Sequence, residues 1–432
     1  MYLKGTIALF VVIFCAIPAR SQFTNTMLGE QEESNTRVCA PAISINPRYP
    51  NNIVAGAMGG NIYYTKDRGK TWEKRKLSSP FGVYGAPAVI ADTKGNFYYF
   101  HLSDSAAGPD GAGVAKRDRL VLQRSDDGGA TWSTSEYIGL NPPKVLDKNR
   151  ATVDGKGNLF VTWTQFDNYG DPQPDCASNI LFSMSRNGRK WSEPVVISQI
   201  PGNCLDDGKS AEGAMPAVTS DGKVMVTWAN QGKIFLDRSF NGGDLWLSND
   251  IVVAEQAGGW DLNIPGHDRS NGMPTIVTDV SKKPFRGSLY ITWADQKNGE
   301  DDTDIWFTRS HNFGDNWSAP LRINDDEKGK HQYLPAMTVD QETGYIYIVY
   351  YDRRNHDDDS TDVYLAWSAN GGSVFKNILI SAEPFTPQED RYFGSYIGIS
   401  AHKGVIVPTW TRMEDGKTSV WTTVITQEEL EK

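Results

Sequence analysis

Seven times along the chain an apolar run opens on Pro-Ala or a similar pair, breaks at a tight Asp/Gly/Asn turn, and resumes as a second run ending on an aromatic residue. The copies cover Pro41 to Ala57, Pro87 to Phe100, Asn149 to Trp163, Pro216 to Trp228, Pro274 to Trp293, Pro335 to Tyr350 and, less regularly, Gly394 to Trp410. Their β-branched and aromatic content between turn residues predicts paired strands. A second pattern interleaves with the first. Ser125-Asp126-Asp127-Gly128-Gly129-Ala130-Thr131-Trp132 returns in close variants, so that its opening hydroxyl falls at positions 65, 125, 185, 239, 310 and 368. The third position is Asp67, Asp127, Asn187, Asn241, Asn312 or Asn370, a side chain that bonds its own backbone two residues on, while the glycines supply positive φ. The closing Trp or Phe is an apolar anchor suited to packing between sheets.

Each full repeat thus reads as four strands: an inner A, its hairpin partner B, then C, the polar turn, and an outer D. That is one blade of an all-β propeller, and seven repeats predict seven four-stranded blades, with six as the alternative count. The last repeat ends without the polar turn or a fourth strand. Phe23 to Leu28 has the spacing of a D strand and is expected to supply the missing edge and close the ring.

The polar turn is the Asp box, or BNR repeat, and over nearly all of the length after residue 21 the chain resembles the sialidase-like β-propeller superfamily. The resemblance implies that these turns lie on the face opposite the substrate. It also implies an arginine triad gripping a sugar carboxylate, a Tyr nucleophile activated by a Glu, and an Asp acid/base. Two departures stand out: members mostly have six blades, and an Arg-Ile-Pro signature is replaced by Arg37-Val38-Cys39-Ala40-Pro41.

Residues 1–21 read as a signal peptide, with Lys4 before the apolar run Ile7 to Ile17 and Ala19-Arg20-Ser21 before the cleavage point. The rest, 22–432, is expected to be one domain, secreted or periplasmic. Of 43 basic residues, Lys4 and Arg20 leave with the leader; the remaining 41 against 53 acidic ones give a net charge near −12. Such a surface opposes nucleic-acid and anionic-membrane binding, and no second apolar segment suggests a membrane span. Three cysteines remain; Cys176 and Cys204 form a possible disulfide between two loops, leaving Cys39 free.

Chain direction puts the A–B and C–D turns on one face and the long, polar B–C and D–A loops on the other. Those loops carry Asp167, Tyr169, Asp206, Glu212, Glu300 to Asp304 and Asp357 to Asp362. The residue two after the closing aromatic of strand B is Gln165, Asn230, Asp295, Asp352 or Arg412, and the start of strand A adds Arg37, Arg150, Arg269, His331 and Arg391. Arginines drawn toward one opening of an acidic protein suggest recognition of a carboxylate, sulfate or phosphate. Carried over from the resemblance, Arg150, Arg353 and Arg391 would contact the anion, with Arg412, Arg269, His331, Asp295 and Gln165 at the same rim. Tyr392 would be the nucleophile and Asp352 or Asp167 the acid/base. Plainer readings stay open: Asp352 with Arg353 as an inter-blade salt bridge, Tyr392 as channel packing. The two acidic runs read as a solvated face or as a Ca²⁺ site, with no other cofactor implied. The expected function is a sialidase-like glycoside hydrolase acting on terminal acidic sugars of a glycan. Alternatives are a non-catalytic glycan- or protein-binding propeller, or a polysaccharide lyase using His331 and Tyr333.

Overall fold

Seven antiparallel four-stranded sheets stand radially around a central channel in this computed structural model, which describes residues 21–32, 38–104 and 117–432. The expected leader, apart from its last residue, and Arg37 lie outside the described residues. The inner strands A line the channel: Ala42–Ile45, Gly85–Ala91, Val145–Val153, Glu212–Val218, Thr275–Thr278, Gln332–Val339 and Gly398–His402. Strands B are buried on both faces, because each is covered by the blade before and the blade after. Hence Leu159–Phe166, Leu289–Asp295 and Ile346–Asp352 are buried throughout, whereas the outer strand Glu73–Lys76 is exposed throughout. The aromatics that end strands B (Trp163, Trp228, Trp293, Trp410) are among the largest fully buried side chains. No helix among the described residues is long and apolar enough to cross a membrane.

The polar turns join strands C and D in six blades and repeat one hydrogen-bond pattern. In blade 2 the Ser125 hydroxyl donates to Asp127 Oδ1 (2.8 Å), Gly129 N–H donates to Ser125 Oγ (2.8 Å) and Thr131 N–H donates to Asp127 Oδ1 (3.0 Å). Gly129 has φ 95°, and a Cβ there would sit 2.7 Å from Val54 Cγ2 of blade 1, so glycine alone fits. Two turns manage positive φ at the preceding position without glycine, at Arg68 (63°) and Phe313 (58°). The closing aromatics reach the neighbouring blade: Trp191 packs edge-on against Phe100, and Trp246 against Phe182. Asn52, in the A–B turn of blade 1, donates to Gly128 O at 3.0 Å, which puts A–B and C–D turns on one face. Replacing Asp127 by Ala removes three acceptor contacts from a half-exposed turn and should cost about 1–2 kcal/mol in urea unfolding. Ligand binding at the opposite face should be unchanged, and a loss of binding without loss of stability would contradict this assignment.

The ring closes through its N-terminus. Thr26–Glu30, starting three residues later than the sequence suggested, pairs antiparallel with Lys417–Thr422 and completes blade 7. The C-terminal residues form a short helix, Gln427–Leu430. It is held by a capping box between Thr426 and Glu429.

A recurrent device sits at the start of the inner strands. The pairing of A with B shifts register between Gly85 and Ala88, Asp147 and Arg150, Glu212 and Met215, and Tyr333 and Ala336. The displaced residue has positive φ each time: Ala86 (52°), Lys148 (48°), Gly213 (73°) and Leu334 (50°). A bulge of this kind re-aims the side chains around it. Three of the four positions are not glycine, so the strain is carried by residues kept for their side chains or packing.

Candidate functional site

The bulge in blade 3 turns Asp147 and Lys148 toward the loop face, into a pocket of about 80 Å³ above the central channel. Its walls come from five other places. Arg117 and Tyr169 descend from the B–C loops of blades 2 and 3, Asp206 and Arg269 from the D–A loops on either side of blade 4, and Tyr392 and Tyr396 from the approach to blade 7. Tyr396 also lines the channel, whose cavity is about 280 Å³, and the Arg150 guanidinium stacks 3.9 Å from its ring centre. Arg150 thus lies on the channel side of Tyr396 and is not among the residues that line the pocket.

Charge is concentrated here. Arg117 Nη1 donates to Asp147 Oδ2 at 2.6 Å, and Lys148 Nζ lies 3.3 Å from the same oxygen. The Arg117 guanidinium makes cation–π contacts with the rings of Tyr84 (5.2 Å) and Tyr169 (4.5 Å). Asp206 accepts short hydrogen bonds from the Tyr169 hydroxyl and from Arg269 Nη2. Behind them Glu212 is fully buried; its Oε2 accepts from the Thr164 hydroxyl at 3.2 Å, and Oε1 has no hydrogen-bond partner among the described residues.

These environments separate the carboxyls. Burial would raise Asp147, but the Arg117 guanidinium and the Lys148 ammonium overcome it and hold the carboxyl well below the usual range. Burial pushes Glu212 well above its ordinary value, and the Asp206 and Asp147 charges add to that against the pull of Lys148. Burial would strip the proton from Lys148, yet the Asp147 and Asp206 carboxylates keep it charged. Asp147, Asp206 and Glu212 each bring one oxygen within 4.8 Å of the others, the one such group among the described residues. The Lys148 ammonium already stands among them, so the cation that these oxygens ask for is built in.

The loops that carry Tyr169 and Asp206 are tied together. Cys176 and Cys204 form a disulfide with a Cα separation of 5.7 Å, and Gly170 N–H donates to Cys204 O at 2.7 Å. Cys39 is the free, buried thiol.

Of the residues singled out from sequence, Tyr169, Asp206, Arg269 and Tyr392 line the pocket, Glu212 lies behind it, and Arg150 lines the channel. The others are spread around the ring. Asp352 is buried and bound by Arg354 (2.7 Å) and the Gln332 amide (3.3 Å), and burial raises its carboxyl to about 6 against the Arg354 charge. Arg353 is buried too, and pairs with Asp359 at 2.9 Å. Asp167 pairs with Lys144 at 2.7 Å on the rim beside Tyr169, and His331 Nδ1 meets the Thr303 hydroxyl at 3.0 Å. Arg391 is largely exposed, 3.8 Å from Asp390. The strand-B column mostly ties down the neighbouring D–A loop. Asp295 accepts from Gly258 N–H (3.0 Å), Asn230 donates to Ile200 O (3.0 Å), Arg412 donates to Pro384 O (3.2 Å), and Gln165 accepts from Asn141 (3.4 Å). Asp147, Lys148 and Arg117 carried a signal that the sequence reading passed over: an Asp-Lys pair inside an otherwise strand-like inner run must be paired with something to be buried there.

Neither a family model nor a curated protein matches the chain. Many solved structures share its fold. One is a protein of unknown function from Dyadobacter fermentans, 12% identical over 90% of this chain and 98% of that one, with a TM-score of 0.51. Another is the α-L-arabinofuranosidase Arb93A from Fusarium graminearum in complex with an iminosugar inhibitor, 11% identical over 92% and 100%, with a TM-score of 0.50. A third is NanB with optactamide, 9% identical over 88% and 84%, with a TM-score of 0.51; NanB is a sialidase from Streptococcus pneumoniae. At these identities the likeness is one of fold.

Proposed function

We propose that this protein is an exported glycoside hydrolase acting at the ends of acidic glycans, with its reaction in the loop-face pocket. The observation that carries the reading is the hydrogen bond from the Tyr169 hydroxyl to the Asp206 carboxylate, flanked by Arg117 and Arg269. A phenol already bonded to a carboxylate is a nucleophile with its base in place. Tyr169 oxygen attacks the anomeric carbon, its proton passes to Asp206, and the glycosidic oxygen leaves with a proton from a second carboxyl. Water then cleaves the glycosyl-tyrosine bond, giving one proton back to the second carboxyl, and Tyr169 recovers its proton from Asp206. Asp167, two residues from Tyr169 on the same loop, is the second carboxyl: it takes up a proton when the substrate displaces Lys144 from it and gives that proton to the leaving oxygen. Tyr392, whose phenol burial pushes up to about 12, packs the wall of the pocket. Arg117, Lys148 and Arg269 supply the positive field for a sugar carboxylate. The fold hosts such chemistry, as the arabinofuranosidase with its iminosugar illustrates, though a fold alone chooses no reaction. The leader read from residues 1–21 and the Cys176–Cys204 disulfide both support export to an oxidising compartment.

One observation favours a second reading, a glycan-binding propeller without turnover: both carboxylates lining the pocket are ion-paired. Fluorogenic glycosides together with sialosides and uronate-capped oligosaccharides separate the two. We expect release of an acidic sugar, with Asp206→Asn lowering kcat/KM by about 10²–10⁴ and Tyr169→Phe by at least as much, both proteins still folded at the assay temperature. Binding without release on every member would remove the hydrolase and leave the second reading.

A further inference from the structure

We propose that the loop-face pocket takes up a monoanionic sugar together with one proton, and that Glu212 holds that proton. The ligand class rests on the reading above; the proton does not.

The argument is a count of charges in a closed space. Arg117, Lys148 and Arg269 line the pocket against the carboxylates of Asp147 and Asp206, which leaves one positive charge facing the cavity. Glu212 lies directly behind. It faces Asp147 and Lys148 from strand A of blade 3, Thr164 from strand B of the same blade, and Asp206 from the loop ahead of its own strand. Beyond Asp206 stand Tyr169 and Arg269, with Asp207 and Asp261 further out. Beyond Asp147 stands Arg117, and Tyr392 lies beside Lys148. An ionised Glu212 would cancel the pocket's surplus charge, and an entering carboxylate would be desolvated without reward. A neutral Glu212 leaves the surplus in place and gains a donor. Two buried oxygens near it, Glu212 Oε1 and Asp206 Oδ1, have no hydrogen-bond partner among the described residues. The three carboxyl groups of the cluster bring oxygens within 4.8 Å of one another, a spacing that a single bridging water serves. Burial and the two neighbouring carboxylates already favour the neutral form. A bound anion adds a third negative charge to that list, so anion binding and protonation of Glu212 reinforce each other, and by linkage each tightens the other.

Calorimetric titration of the full chain tests this. The probes are glucuronate and N-acetylneuraminate, with glucose and N-acetylglucosamine as neutral controls. Titrations run from about pH 5 to 9 in buffers of different ionisation enthalpy, so that proton uptake is read directly. At least one acid should bind about tenfold or more tighter than its neutral control. Its affinity should then fall toward about tenfold per pH unit as Glu212 ionises, with uptake approaching one proton. Glu212→Gln keeps the shape and the donor but cannot ionise; it should bind as the parent does at low pH, with a flat profile and no uptake. Four outcomes overturn the proposal: neither acid binds, acid and neutral sugar bind alike, the parent's profile is flat, or Glu212→Gln retains the parent's slope. A folded Glu212→Gln protein that has lost binding at low pH overturns it as well. Proton-linked binding without turnover would leave this inference standing while removing the hydrolase, and turnover with a flat profile would do the reverse.

Discussion

A chain that begins at residue 33 should unfold on the order of 10 °C below the full chain, because it lacks the outer strand of blade 7. Thr26–Glu30 pairs with Lys417–Thr422, and Gln31 N–H extends the ladder to Thr418 O at 2.8 Å. Asn25 imitates a further strand residue across to blade 6: its amide donates to Ile380 O (2.9 Å) and its oxygen accepts from Ala382 N–H (2.7 Å). Phe23 is buried among the apolar side chains of blades 5, 6 and 7, and Leu28 against blade 1. Each of these two side chains contributes about 1.5–3 kcal/mol by burial, and the unpaired ladder adds about 1 kcal/mol for each lost bond. The sum is a large share of the roughly 5–15 kcal/mol that holds a domain folded. The truncated chain would also present an open sheet edge prone to association. Phe23→Ala with Asn25→Ala in the full chain tests the same contacts without shortening it and should produce roughly half the drop. Equal melting temperatures for full and shortened chains would mean that the ring does not depend on its closure.

The closure was legible because a missing D strand in the last repeat has one place to come from. The blades were legible for a related reason. Their turns use chemistry that is local in sequence, a hydroxyl, an Asp or Asn two residues on, and a glycine, so six copies announce six hairpins without any knowledge of the third dimension. The aromatic ends of strands B were equally plain, since Trp163, Trp228, Trp293 and Trp410 are buried wherever they recur. Exact strand limits were not. Thr26–Glu30 begins three residues after the stretch expected, at a point where Asn25 mimics a strand residue with its side chain rather than its backbone.

The site was legible only in outline. Its face followed from chain direction, and its loops were the polar ones. Which side chains meet there did not follow, because equivalent positions in a repeat point alike while their partners differ from blade to blade. Asp295 and Asn230 each found a backbone group in a neighbouring loop, and Asp352 found Arg354. What gathers Asp147, Lys148, Arg117 and Asp206 is a bulge with positive φ at a lysine and a disulfide between two loops, neither of which has a period to read. The Asp-Lys pair in Val145–Val153 was the one trace left in the sequence, two charges where a buried strand tolerates none unpaired.

That pair supports the second large effect. Asp147→Asn should lower stability by about 3–5 kcal/mol, since it strands the buried Arg117 guanidinium and Lys148 ammonium without the anion that both share. Asp147→Asn with Lys148→Met removes one charge of each sign and should be less destabilised than Asp147→Asn alone; with Lys148→Met also measured, the cycle gives the coupling of the pair. The pH dependence has a definite sign. Asp147 is held below the ordinary carboxylate range in the fold, so its contribution is fully present above about pH 4, its unfolded value, and is lost as the pH falls toward the folded value. The gap between the parent and Asp147→Asn should therefore be constant from neutral pH down to mild acid and close only below about pH 4. Urea unfolding at three pH values measures it, and a single variant within about 0.5 kcal/mol of the parent at neutral pH would show that Arg117 and Lys148 are satisfied without Asp147. In that case the charge count behind the pocket's positive surplus would have to be redrawn as well.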